Sequence, residues 1–135
     1  MKVSFPYEVK PSSLFGSVKR PIAKLKFWSK KFSRYLEYVL LVDTGADYTL
    51  LPKHIAFELG IDLKKDCNSL LTSGVGGEEK VYFARRRLKI KIENLEKEIP
   101  VGFLDQEDIP PLLGREGCLN DFDIRFVHFI TTIKK

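Results

Sequence analysis

Cysteine is scarce in this chain: Cys67 and Cys118 are the only two among 135 residues, far apart and outside any Cys-x-x-Cys pairing. That spacing indicates neither a disulfide framework nor a zinc site, so reduced thiols are expected. Long apolar runs are also missing. No stretch approaches the roughly 20 residues that cross a bilayer, and the opening Met1–Glu8 segment lacks the continuous apolar core of a secretion signal. A cytoplasmic protein without membrane contact is expected. His54 and His128 join no cluster of His, Cys or carboxylate residues at ligand spacing, so no metal and no cofactor are expected. Nothing pairs a serine or cysteine nucleophile with a histidine in a recognisable motif. Internal repeats and low-complexity segments are absent too.

What remains is a chain with 44% hydrophobic residues, long enough for one core and too short for two ordinary domains. Its formal net charge of +5 comes from Lys and Arg spread along the whole length. A mildly basic surface favours acidic partners but also simply keeps a small protein soluble. The run Arg85-Arg86-Arg87 has no interleaved aromatics, so it reads as the solvated face of a strand, and no nucleic-acid partner is expected.

Period-2 alternation dominates the pattern. Pro6 and Pro11 mark residues 1–17 as an N-terminal arm, either an edge strand or a disordered tail, ahead of a domain at 18–135. Ala23, Leu25 and Phe27 alternate with Lys24 and Lys26 as in a half-buried strand. After a Ser29-Lys30-Lys31 turn, Phe32, Leu36, Tyr38, Leu40 and Val42 share one face, and from Val39 both faces are apolar. The strand is therefore expected to enter the interior just before Asp43. Pro52, Ile55, Leu59 and Gly60 outline a helix of about two turns. Leu63–Thr72 reads as extended, with a glycine-rich hairpin tip before Val81-Tyr82-Phe83 and a bulge near Arg85-Arg86-Arg87. Leu88, Ile90 and Ile92 make the next strand; a polar turn over 94–97 and one strand through Ile99, Val101 and Phe103 follow. A loop over 105–111, one or two helical turns ending at Asp121, and one final strand with Phe122, Ile124, Phe126, His128 and Ile130 on one face complete the reading. Six or seven strands with one or two short helices define a mostly-β domain, a barrel or a sandwich.

Three features carry the chemistry. Asp43-Thr44-Gly45 follows an apolar strand; Gly74-Val75-Gly76-Gly77 tips a hairpin; Leu112-Leu113-Gly114-Arg115 lies near the end. Each alone is ordinary, since Asp-Thr-Gly is a common turn and Leu-Leu-Gly can end any strand. The glycine tip lies between strands, with no Lys-Ser or Lys-Thr after it, which rules out a P-loop. An acid at the end of a buried strand needs a partner or a proton, because an unpaired charge in low dielectric is costly.

In this order and separation the three motifs resemble the retropepsin family, the single-lobe aspartic proteases that include those of retroviruses. The resemblance spans roughly Val18 to Phe126 and implies a mostly-β, retropepsin-like acid-protease barrel with one or two short helices. It implies that Asp43 is catalytic, and that Thr44, Gly45, Ala46 and Asp47 complete the active-site loop. Gly74, Val75, Gly76 and Gly77 are then the flap that closes over a peptide, and Gly114 and Arg115 support the loop. Thr44 matches a residue whose hydroxyl bonds across a dimer axis, and Asp47 one that pairs with the arginine found here as Arg115. That pair either contacts substrate or only braces the loop. The chain departs from the viral enzymes at Tyr48, commonly an acid there, and at both termini. Glu78 and Glu79, just past the flap, either favour basic substrate residues or face solvent.

Peptide hydrolysis by this route uses one carboxylate to activate water and a protonated carboxyl to polarise the scissile carbonyl. One Asp-Thr-Gly in a chain of single-lobe length places the second carboxyl on another copy, so a homodimer acting on a peptide or protein substrate is expected. The competing reading is a retropepsin-fold dimerisation or peptide-binding module with little or no turnover.

Overall fold

The computed structural model describes residues 1–74 and 77–135, so Val75 and Gly76 of the expected flap tip lie outside the described residues. In chain order the strands are β1 (Lys2–Pro6), β2 (Glu8–Ser12), β3 (Gly16–Arg20), β4 (Ile22–Ser29), β5 (Arg34–Val42) and β6 (Thr49–Pro52). Helix α1 (Lys53–Leu59) precedes β7 (Cys67–Gly74), β8 (Gly77–Ala84), β9 (Leu88–Ile92), β10 (Leu95–Ile99), β11 (Val101–Leu104) and β12 (Leu112–Leu113). A 3-10 turn (Leu119–Asp121) then leads to β13 (Asp123–Val127) and β14 (Ile130–Lys134). The mostly-β class read from the sequence is what the chain adopts. The strands form a nine-stranded sheet in the order β10-β9-β4-β5-β12-β6-β11-β8-β7, a three-stranded sheet β1-β14-β13, and the hairpin β2-β3.

Alternation explains the central hairpin. Ala23, Leu25 and Phe27 are fully buried while Lys24 and Lys26 stay in water, and β5 pairs antiparallel with Phe27 opposite Leu36 and Leu25 opposite Tyr38. Burying each large side chain contributes roughly 1.5–3 kcal/mol. The Phe27 and Tyr38 rings meet edge to face at 5.9 Å. The Tyr38 hydroxyl donates to Glu58 at 2.6 Å, which ties β5 to α1. Its burial and this carboxylate hold the phenol well above its ordinary range. The helix ends where Gly60 turns left-handed at φ 74°, and a Cβ there would come within 2.8 Å of the Lys31 main-chain nitrogen. Glycine is thus required twice over, by conformation and by space.

Several expectations need correction. The final segment is not one strand but a hairpin, β13 with β14, turning at His128 (φ 51°) and Phe129 (φ 60°). Two successive left-handed residues match the twist of a tight hairpin, but His-Phe carries none of the usual glycine or asparagine signal. His128 therefore sits exposed at a tip, not in core or rim. The run Ile99–Phe103 is split at Pro100. Lacking an N–H, the proline separates β10, bonded to β9, from β11, bonded to β6 and β8. The face shift at Arg85-Arg86-Arg87 comes from a bend between β8 and β9, not from a bulge.

Phe32 lies in the β4–β5 turn, half exposed, where Ser29 accepts from its N–H and donates to the Glu58 carbonyl. Leu63 falls in a turn in which Asp62 accepts from the Lys64 and Lys65 amides, and strand β7 begins only at Cys67. Of the two alternatives for the first residues, β1 is an edge strand, paired with β14 at the margin of its sheet, and β3 spans position 17.

Both thiols are interior. Burial, with Asp66 next in importance, pushes Cys67 up to about 11; burial pushes Cys118 up to about 12. Since the thiolate is the reactive form, neither cysteine should label with an aromatic disulfide reagent at pH 8 in the native protein, and both should label in denaturant. Two rapid equivalents under native conditions would contradict this packing.

Candidate active site

β12 lies between β5 and β6, parallel to the first and antiparallel to the second, so the segment joining β5 to β6 must loop over it. That segment carries Asp43. The Leu41 amide donates to Pro111, the Val42 amide to Pro21 and the Asp43 amide to Leu113, at 2.8, 2.9 and 3.0 Å. The acid is thereby fixed at the point where two strands part. Its Oδ1 accepts the Gly45 N–H at 3.0 Å, and its carbonyl accepts the Ala46 N–H at 3.1 Å. A Cβ on Gly45 would stand 3.3 Å from Oδ1, so the glycine keeps the carboxylate uncrowded. Among the described residues Asp43 has no ion-pair partner, and Oδ2 accepts no hydrogen bond.

The expected burial of the strand end is only half realised. Leu40 and Val42 are buried, but Val39 is 40% exposed and Leu41 and Asp43 are half-buried. Thr44 and Gly45 are exposed. The outer face of β5 is thus only partly covered, with Val39 bordering a pocket that it shares with Ser4, Phe5 and Pro6 of β1.

The loop is clamped from Gly114 onward. A Cβ at Gly114 would lie 2.2 Å from both the carbonyl carbon and oxygen of Tyr48, so the two backbones touch where only hydrogen fits. The Gly114 N–H donates to the buried Thr49 hydroxyl at 3.1 Å. Arg115 and Glu116 amides donate to Ala46 and Asp47 at 3.0 and 2.7 Å, and the Arg115 guanidinium reaches Asp47 at 2.5 Å. Asp47 is 77% exposed, so this ion pair contributes under about 1 kcal/mol, and the backbone bonds carry most of the clamp. Thr49 was not legible as a site residue. A β-branched residue opening an apolar strand gives no sign that its hydroxyl receives a main-chain donor from the other end of the chain.

Tyr48 joins the loop to the β7–β8 hairpin. Its ring meets Phe83 edge to face at 5.2 Å, and burial, with Asp47 behind it, raises its phenol above the ordinary value. The hairpin register runs from Cys67 opposite Ala84 to Gly74 opposite Gly77. Of the two acids past the tip, Glu78 is exposed and Glu79 accepts from Gln106 at 3.0 Å. His54 is on the outer face of α1, 2.7 Å from Glu107, and no group of three potential metal ligands occurs among the described residues.

Comparison with known proteins agrees with this geometry. A family model described as Aspartyl protease matches residues 35–116, which span the acid loop, the hairpin and the clamp. The chain belongs to the aspartyl protease family. Its fold is that of the retropepsin-like members: a crystal structure of a retropepsin-like aspartic protease from Rickettsia conorii superposes with a TM-score of 0.67 at 20% identity, over 98% of each chain. No curated protein matches the sequence.

Two substitutions test the clamp. Gly114→Ala should cost about 3 kcal/mol or more, since the obstructing atoms are main chain and cannot swing aside. Thr49→Val should cost about 1–3 kcal/mol by stranding a buried N–H. Denaturant melts of both variants measure this, and a Gly114→Ala midpoint equal to wild type would contradict the contact.

Proposed function

We propose that the chain is an aspartic endopeptidase whose active site forms when two copies bring their Asp43 carboxyls together. The observation that carries the reading is Asp43 itself: held at Oδ1 by the Gly45 amide, with Oδ2 unclaimed, at the open end of β5. One such loop occurs per chain, so the second carboxyl comes from a second copy. Facing carboxyls at about 3 Å share one proton, as the dyads of aspartic proteases do, and titrate as a unit. The ionised member takes a proton from water while the protonated member polarises the peptide carbonyl. No cofactor enters.

The remaining residues take supporting roles. Thr44, exposed beside the acid, bonds across the two-fold axis. Asp47 and Arg115 brace the loop, with Asp47 accessible enough to meet substrate backbone as well. The β7–β8 hairpin, with Gly74 opposite Gly77 at its described end, serves as the flap, which lies over an extended peptide and excludes water. Exposed Val39 on β5, and Phe126 and Val127 on β13, are apolar surface that a second copy would cover.

A binding module without turnover is the second reading. It is favoured by one observation, that β1 pairs with β14 of its own chain, so these two strands are bonded to each other within one copy. The two readings separate on Asp43→Asn. Wild type should cleave members of a peptide library with a bell-shaped profile between pH 3 and 7, and the variant should lose on the order of a hundredfold to ten-thousandfold of that rate while keeping its melting curve. Undiminished cleavage by the variant would refute the catalytic role.

A further inference from the structure

At the end of the β4–β5 hairpin away from Asp43, a cleft of about 660 Å³ opens between that hairpin, the end of α1 and the bend joining β8 to β9. Ile22 lies beside Leu41 near the acid loop and Trp28 lines the cleft, so the two sites are roughly 20 Å apart at about 3.3 Å per strand residue. Six cations line it: Lys30, Lys65, Arg85, Arg86, Arg87 and Lys89. Two carboxylates face them. Asp66 accepts the Asp62 amide at 2.8 Å, and Glu98 stands opposite Lys89 across β9–β10 without closing an ion pair. Among the described residues none of the six cations is in an ion pair, although Lys53, Lys91, Lys97 and Arg115 elsewhere all are.

Six cations against two carboxylates leave an excess of four positive charges around one concavity, which a bound anion would offset. The bend is also held in place. The Arg85 amide donates to the Asp66 carbonyl at 2.9 Å and its Nε to Asn68 at 3.1 Å, which fixes Arg85 at the start of the run. Between the cations the lining is apolar, with Leu59, Ile61 and Leu88 beside the Trp28 ring.

We infer that this cleft is a docking site for an acidic, partly apolar peptide segment, separate from the catalytic loop. Guanidinium forks match carboxylates in bidentate geometry, and the apolar lining takes the intervening side chains. A nucleic acid would instead be met by a longer cationic track with several stacking rings, and among the described residues Trp28 is the only aromatic lining this cleft. The choice of a protein ligand rests on the peptidase reading: the cleft would hold an acidic stretch of a protein substrate away from the bond being cut.

The test uses the Asp43→Asn chain, so that peptides survive, and fluorescence anisotropy with three probes: a short labelled peptide of alternating Glu and Leu, its Gln-for-Glu counterpart, and a single-stranded oligonucleotide. The acidic peptide should bind, weaken as salt rises, and exceed the Gln peptide by about tenfold or more. Arg86→Glu with Lys89→Glu should lower its affinity on the order of tenfold, and Arg86→Gln with Lys89→Gln by less, with unchanged melting curves. Failure to bind, equal binding of the Gln peptide, indifference to both double variants, or tighter binding of the oligonucleotide would each overturn the proposal. Cleavage of a short neutral substrate by otherwise wild-type protein is followed in parallel. Acidic-peptide binding without any turnover would uphold the cleft and sink only the peptidase reading, and turnover without such binding would sink the cleft alone.

Discussion

Gly114 and Tyr48 approach until their main chains touch, and that contact organises the end of the molecule that carries Asp43. Any side chain at Gly114 would push β12 out from between β5 and β6. With β12 displaced, Asp43 would lose the Leu113 carbonyl that receives its amide, and Gly114 would leave the Thr49 hydroxyl unpaired. Position, hydrogen bonding and accessibility of the acid therefore share one steric cause. The Arg115–Asp47 ion pair, which the sequence brings forward more readily, is solvent-exposed and secondary to the backbone bonds beside it.

The same arrangement leaves the acid incomplete. A carboxylate with one oxygen held and the other without a hydrogen bond among the described residues, at the end of a strand whose outer face is only partly covered, is well placed to meet a symmetric copy of itself. At the opposite end of the β4–β5 hairpin, six cations line a cleft that is spatially separate from the acid loop.

The class of fold and the acid loop were legible because each rests on a local signal. Lysine alternation declared β4, Gly60 declared the end of α1, and the spacing of Asp43, the glycine hairpin and Leu112-Leu113-Gly114 tied remote segments together. What was not legible depended on long-range pairing. Pro100 splits one alternating run because its two halves serve different neighbours, and alternation does not say which strand is next door. His128 and Phe129 turn left-handed under the demands of the β13–β14 pairing, against their own preferences. Thr49 and Gly114 are 65 positions apart, and neither announces the other. An apolar run does not say how far each of its faces is covered, and Asp43 is only half-buried because one face of β5 is partly exposed, with Val39 at 40%.

Mixing is the most direct test of the shared site. If both carboxyls of one dyad come from different chains, unfolding and refolding wild-type protein with an equal amount of Asp43→Asn should leave about a quarter of the dimers competent, and peptidase activity should follow the square of the wild-type fraction. Activity that instead falls in simple proportion to the wild-type fraction would mean that each chain acts alone, and the account of Asp43 as half of an active site would be wrong.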